Sequence, residues 1–229
     1  MVDIENWMEG LAGKLAGEFG PRLLFLGLQG SYGRGEATED SDIDVVTVLD
    51  RVELADLDAY RAVVRQMPEG EKACGFLCGA AELKDWPKYD LIGVARDTRD
   101  VYGQLADLLP PLGRNDLADA AAVGASGLYH AAVHSCLYRE REHRPAFLEN
   151  VHKSVFFALR ALYELRHGEN VRAKGELLSR LTGDEREILA YGLTPPERRE
   201  EPEAAFARLI RWSAAAMAEA GRAKAAEFS

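Results

Sequence analysis

Gly30-Ser-Tyr-Gly-Arg-Gly-Glu-Ala-Thr-Glu-Asp-Ser-Asp42-Ile-Asp44-Val-Val-Thr-Val48 joins a glycine-rich turn to a β-branched run. Asp42–Leu49 reads as a strand, and its period of two places Asp42 and Asp44 on one face with Ile43 on the other. Two carboxylates that close repel each other unless a cation stands between them. Hard oxygen ligands beside a turn of phosphate size favour Mg²⁺, which takes one or two carboxylates and completes its shell with phosphate oxygens and water. Gly30 lets the backbone approach a phosphate, and Ser31 offers both a hydroxyl and an amide. Arg34 either binds phosphate too or pairs with Glu36 or Glu39. Other phosphate-binding patterns fail: the chain has no G-x-x-x-x-G-K-[ST], and the glycines at 27, 30, 33 and 35 do not spell G-x-G-x-x-G.

Outward from this segment, the first hundred residues mix periods. Residues 3–18 carry Ile4, Trp7, Met8, Leu11 and Leu15 on one helical face, which Pro21 ends. Arg22–Leu28 is a short apolar run that fits a buried strand, and Gln29–Gly35 reads as the turn after it. Leu54–Met67 looks helical, Ala73–Cys78 is a third strand candidate and Leu91–Val94 a fourth. Leu108–Asp116, with two prolines, a glycine and Asn-Asp, marks a boundary, giving expected domains over 1–112 and 113–229. Beyond it the pattern is helical: Asp116–His143, Phe147–His167, a short helix capped by a Thr182–Glu185 box, and Pro202–Ala220. The expected fold is α+β, a small mixed sheet with flanking helices followed by a helical bundle.

The chain has 229 residues and a formal net charge of −10. With 47% apolar and 29% charged residues it has the composition of a globular protein. Its acidity argues against a general nucleic-acid or anionic-membrane binder. The first sixty residues hold 4 basic and 13 acidic side chains, so the charge concentrates around the Gly30–Asp44 segment, where acidity means metal ligation. Three cysteines, Cys74, Cys78 and Cys136, read as buried thiols. With an acidic amphipathic start and no long apolar run, they point to a cytoplasmic protein without membrane association.

The Gly30–Val48 segment resembles the signature of the nucleotidyltransferase superfamily of DNA polymerase β type. Gly30, Ser31, Gly33, Arg34, Gly35, Ala37, Ser41, Asp42, Ile43, Asp44 and Val45 fill its positions. The helical second half is similar to the bundle of aminoglycoside nucleotidyltransferases. The resemblance implies transfer of a nucleoside monophosphate from an NTP, taken to be ATP, to a hydroxyl of a small acceptor, with release of pyrophosphate. It implies that Asp42 and Asp44 hold Mg²⁺, that Gly30 and Ser31 contact the β- and γ-phosphates, and that the bundle supplies positive charge, with Lys153 the foremost candidate and Lys174 another. An aminoglycoside-like acceptor would make this an antibiotic-resistance type of transferase, since an acidic site suits a polycation.

One part of the pattern is missing. The family carries a third carboxylate on a following strand, and here Cys74 stands near that position. Glu71, Asp90 or, from the second domain, Glu149 are the substitutes, or the group is absent, which puts general-base catalysis in question. The alternative function is therefore a regulatory module of toxin–antitoxin type that modifies or binds a partner protein. His130 and His134 stand four apart on a helix without a third zinc ligand. Arg160 and His167, with six residues between them, resemble the short R-x(4–6)-H pattern of HEPN ribonucleases, but a histidine beside Gly168 is favourable at a helix end for the dipole alone.

Overall fold

The computed structural model describes residues 2–225. Two compact units part between Pro111 and Leu112. In the first, helix α1 (Ile4–Phe19) starts at Asp3, whose side chain accepts from the Asn6 amide. It buries Trp7, Met8, Leu11, Leu15 and Phe19, then stops at Gly20 with φ +54°. Strands β1 (Leu23–Leu28), β2 (Ile43–Leu49), β3 (Ala73–Gly79) and β4 (Arg99–Tyr102) form one sheet in the order β3-β2-β1-β4. β1 runs antiparallel to β2 and β4, while β2 and β3 are parallel. Helix α2 (Gly30–Arg34) links β1 to the loop before β2, and α3 (Leu54–Val64) connects the parallel pair. Helices α4 (Ala80–Asp85) and α5 (Lys88–Asp97) follow β3.

The core of this unit lies between α1, α3 and the sheet face carrying Ile43, Val45 and Leu49, all at most 1% exposed. Burial on that scale is worth about 1.5–3 kcal/mol per large aliphatic side chain. Strand β2 begins one residue later than its sequence pattern predicts, so Asp42 precedes the ladder and Asp44 lies within it. The Gln29–Gly35 turn is a single helical turn. Leu91–Val94 is helical, not a strand: the run lies inside α5, with Leu91 and Ile92 buried on one face, and the fourth strand is the polar Arg99–Tyr102. The edge β4 pairs only with β1, and ladder hydrogen bonds there override weak local propensity.

The second unit consists of α6 (Arg114–Tyr138), α7 (Arg144–Asn150), α8 (His152–His167), α9 (Lys174–Arg180), α10 (Gly183–Leu193) and α11 (Pro202–Ala225). Helices α6, α8 and α11 form its core. α6 buries Ala118, Ala121, Ala125 and Ala132, and Gly124 lets it press on α8, where an added Cβ would stand 3.0 Å from that of Ala158. The Phe147–His167 pattern is two helices, broken at Val151. The Thr182 side chain makes no cap hydrogen bond. Glu185, its expected box partner, instead accepts from Trp212 Nε1 at 3.1 Å and Arg166 at 2.8 Å. Arg166 also grips Glu219 through two bonds, which ties α8 to α10 and α11 and holds the Glu219 carboxyl below its usual range.

Candidate active site

The site is built on the end of β1 and the start of β2. Gln29 leaves β1 with its amide donating to the Asp44 carbonyl at 2.8 Å, so the turn is registered on β2 by the sheet itself. The Gln29 side-chain amide donates to Thr98 Oγ1 at 2.9 Å, and Thr98 in turn donates to the Val94 carbonyl. This fastens the turn to the end of α5. Gly30 then adopts φ +66°, a region that side chains disfavour. A Cβ at that residue would fall 1.7 Å from Asp44 Oδ2. Gly30 is thus required twice, for its backbone conformation and for the room it leaves beside a carboxylate. Gly33 is small for a different reason: a Cβ there would stand 3.1 Å from the Leu28 carbonyl. Gly35, at φ +73°, ends the helical turn and brings the Glu36 amide back to the Ser31 carbonyl.

Asp42 is exposed, Asp44 half-buried, and Ser31 half-exposed on the adjoining turn. Arg34 donates to Glu36 at 3.1 Å with only 6% of its side chain exposed, the pairing arrangement of its two sequence readings. Ser41 accepts from the Thr38 amide at 2.9 Å and so closes the loop. Lys72, which the sequence reading passed over, donates to the Glu39 carbonyl at 3.0 Å and pairs with Glu69. It pins the acidic loop to the entry of β3.

The parallel register sets Cys74 directly beside Asp44, and partners in parallel strands share a face. Cys74 is exposed, which corrects the expectation of a buried thiol. β3 is an edge strand, and Cys74 lies toward its open beginning. Cys78, four residues on, is buried, and burial pushes its thiol up to about 11. Among the described residues no three His, Cys, Asp or Glu are placed to hold a metal together. Glu71 and Asp90 therefore do not complete the Asp42–Asp44 pair. Asp90 lies in the first turn of α5 and accepts from Trp86 Nε1 at 2.8 Å. Glu149 sits in the last turn of α7, not the first turn of a helix, and pairs with Arg199.

Two carboxylates beside a glycine turn are the donor set of a hard divalent cation whose remaining positions would belong to phosphate oxygens and water. The donors are all oxygen, which suits Mg²⁺.

In the helical unit, Lys153 is exposed in the first turn of α8, and Lys174 begins α9. Arg160 is 4% exposed and stacks over the rings of Phe156 and Phe157, while the His167 ring packs 4.3 Å from that of Tyr163. A packed arginine and a histidine engaged at the helix end are structural. The rings of His130 and His134 lie 6.1 Å apart without a third ligand among the described residues. No helix among the described residues is long and apolar enough to cross a membrane.

Residues 16–109 match the family model of the nucleotidyltransferase domain. No curated protein matches the chain in sequence. Among solved structures, the spectinomycin adenyltransferase of Enterococcus faecialis, crystallised with ATP and spectinomycin, is similar with a TM-score of 0.57. The two share 12% identity, and the match covers 91% of this chain and 98% of that one. That likeness is one of fold: a small mixed sheet with flanking helices followed by a helical part.

Proposed function

We propose that the chain transfers a nucleoside monophosphate from an NTP, with ATP the first candidate, to a hydroxyl of a small acceptor and releases pyrophosphate. The observation that supports this reading is the opposition of Gly30 and Asp44: a Cβ at Gly30 would fall 1.7 Å from Asp44 Oδ2, so only glycine lets the turn stand against that carboxylate. Asp42 and Asp44 would hold Mg²⁺. The bound ion supplies charge neutralisation at the triphosphate and at the oxygen that leaves. Ser31 offers its hydroxyl and amide to the phosphates, and Lys153 supplies a cation from the helical unit. Arg34 acts by holding the loop through Glu36. The solved relative was crystallised with ATP and spectinomycin, which makes an aminoglycoside-like acceptor the first class to try.

The test is pyrophosphate release by the purified protein with each NTP, Mg²⁺ and a panel of hydroxylated acceptors. Turnover with one acceptor class, abolished by Asp42→Asn, supports the reading. Absence of turnover across the panel, with nucleotide binding unaltered by Asp42→Asn, sinks it. A second reading is favoured by Cys74, a thiol in register with Asp44 where a carboxylate would serve as base. On that reading the domain regulates a partner protein, binding nucleotide without turning over any small acceptor.

A further inference from the structure

Within the helical unit, the end of α6, the turn at Arg141–His143 and α7 surround a hollow of about 600 Å³. It is lined by His130, His134, Ser135, Arg139, His143 and Asn150, with no carboxylate in its wall. His130 and His134 stand four apart on consecutive turns of α6, Ser135 follows on the same helix, and Arg139 caps its end in extended backbone.

Among the described residues, one buried group in this wall is left unsatisfied, and one exposed cation there is unpaired. Ser135 is 2% exposed, and its Oγ has no hydrogen-bond partner among the described residues. A buried hydroxyl without a partner costs about 1–3 kcal/mol, and such groups are rare enough in native proteins to need a reason. The Arg139 guanidinium likewise has no ion-pair or hydrogen-bond partner among the described residues. Of the unit's other arginines, Arg144 pairs with Glu203 and Arg166 with Glu185 and Glu219.

We infer that this hollow binds a small phosphate-bearing anion, with Arg139 as its charge partner, Ser135 Oγ and Asn150 as hydrogen-bonding groups, and the three imidazoles around it. The chemistry selects the class. Beside the apolar Ala131, Ala146 and Phe147, the polar part of the wall holds one guanidinium and no carboxylate, which suits oxygens that carry negative charge. The volume falls within the range of small-molecule sites. In a chain of net charge −10, Arg139 gives this hollow a positive group with no acidic side chain in its wall. A free inorganic phosphate species and the phosphate of a nucleotide share this chemistry, and the experiment separates them.

The test is NMR of the full chain labelled at histidine, titrated without divalent cation against inorganic pyrophosphate and, separately, adenosine monophosphate. Saturable shifts of the His130, His134 and His143 resonances are expected with at least one probe. Tighter binding of the monophosphate would identify a nucleotide as the source, and tighter binding of pyrophosphate a free phosphate species. Arg139→Ala, at an exposed residue, is expected to raise Kd by about tenfold or more, the weight of a charged hydrogen bond. Ser135→Ala is expected to weaken binding without lowering thermal stability, whereas a structural hydroxyl would lower it. Asp44→Asn, in the other unit, is expected to leave the shifts intact. The inference is overturned if neither probe shifts these histidines, if Arg139→Ala binds as tightly as the parent, or if Asp44→Asn abolishes the shifts.

Discussion

At the start of β2, two carboxylates stand beside a turn whose shape is set by backbone: the Gln29–Asp44 ladder bond, the positive φ of Gly30, and the contact of Gly33 with a carbonyl. The hollow of the helical unit is made the other way. Its chemistry comes from side chains brought together by the end of α6, the Arg141–His143 turn and the end of α7. One site is acidic and suited to a cation, the other rich in donors and suited to an anion. The difference teaches that a site carved by backbone leaves little tolerance for substitution, whereas one assembled from side chains loses its ligand and keeps its fold.

The sharpest way to break that contrast is at Gly30. Gly30→Ala is expected to abolish detectable transfer, a fall of more than about 100-fold, the upper end of what loss of an outer-shell metal partner costs. The added methyl displaces Asp44 and also strains the turn. Steady-state kinetics and a thermal melt check both parts, and Arg139→Ala should leave the melt unchanged. If Arg139→Ala destabilises the fold as much as Gly30→Ala does, the contrast fails.

Next in size are the two cores. Leu28→Ala in the sheet and Leu159→Ala in α8 each remove a side chain at most 1% exposed, and each is expected to cost about 2–5 kcal/mol in chemical denaturation. Of the two, only Leu28→Ala should also impair transfer, since it empties the strand that delivers Gln29 to the turn.

A smaller effect concerns the ion cluster that joins β1 to α3. Arg22 grips Asp56 through two bonds of 2.8 and 2.9 Å and Asp50 through a third. The guanidinium and the Glu53 amide hold the Asp56 carboxyl at about 2. Because that value is depressed on folding, the stabilisation is complete above the ordinary carboxylate range and drains away as pH falls through it towards 2. Asp56→Asn should therefore flatten the acid limb of the stability–pH curve, measured by urea unfolding between pH 7 and pH 2.

The smallest expected difference separates two helix starts. Asp3→Ala removes a real cap and should cost about 1 kcal/mol. Thr182→Ala removes none and should stay within about 0.5 kcal/mol of the parent. Paired urea melts distinguish the two.

The same contrast explains what could be read from the chain. The turn at Gly30 and its closeness to Asp44 were legible because both lie in one short segment, and β2 and α1 because their periods are regular. The anchoring of Gln29 by Thr98, 69 residues away, left no local signal. Arg99–Tyr102 was passed over as a strand because its residues are mostly polar and only the ladder to β1 makes it one. Thr182 and Glu185 had the spacing of a capping box, yet Arg166 and Trp212 claimed the glutamate. The hollow around Arg139 belongs to no motif, and only folded geometry reveals that Ser135 faces no partner.

The bond between Gln29 and Thr98 also has a bearing on biogenesis. The motif loop emerges from the ribosome long before the residue that fastens it, and β4 closes on β1 only when the chain has been extended to Tyr102. Non-local pairing of this kind is slow compared with helix formation. The hollow of the helical unit, whose wall runs from His130 to Asn150, needs no such wait. On the nascent chain the acidic site is thus begun first and finished late, its loop unfastened until Thr98 has been added.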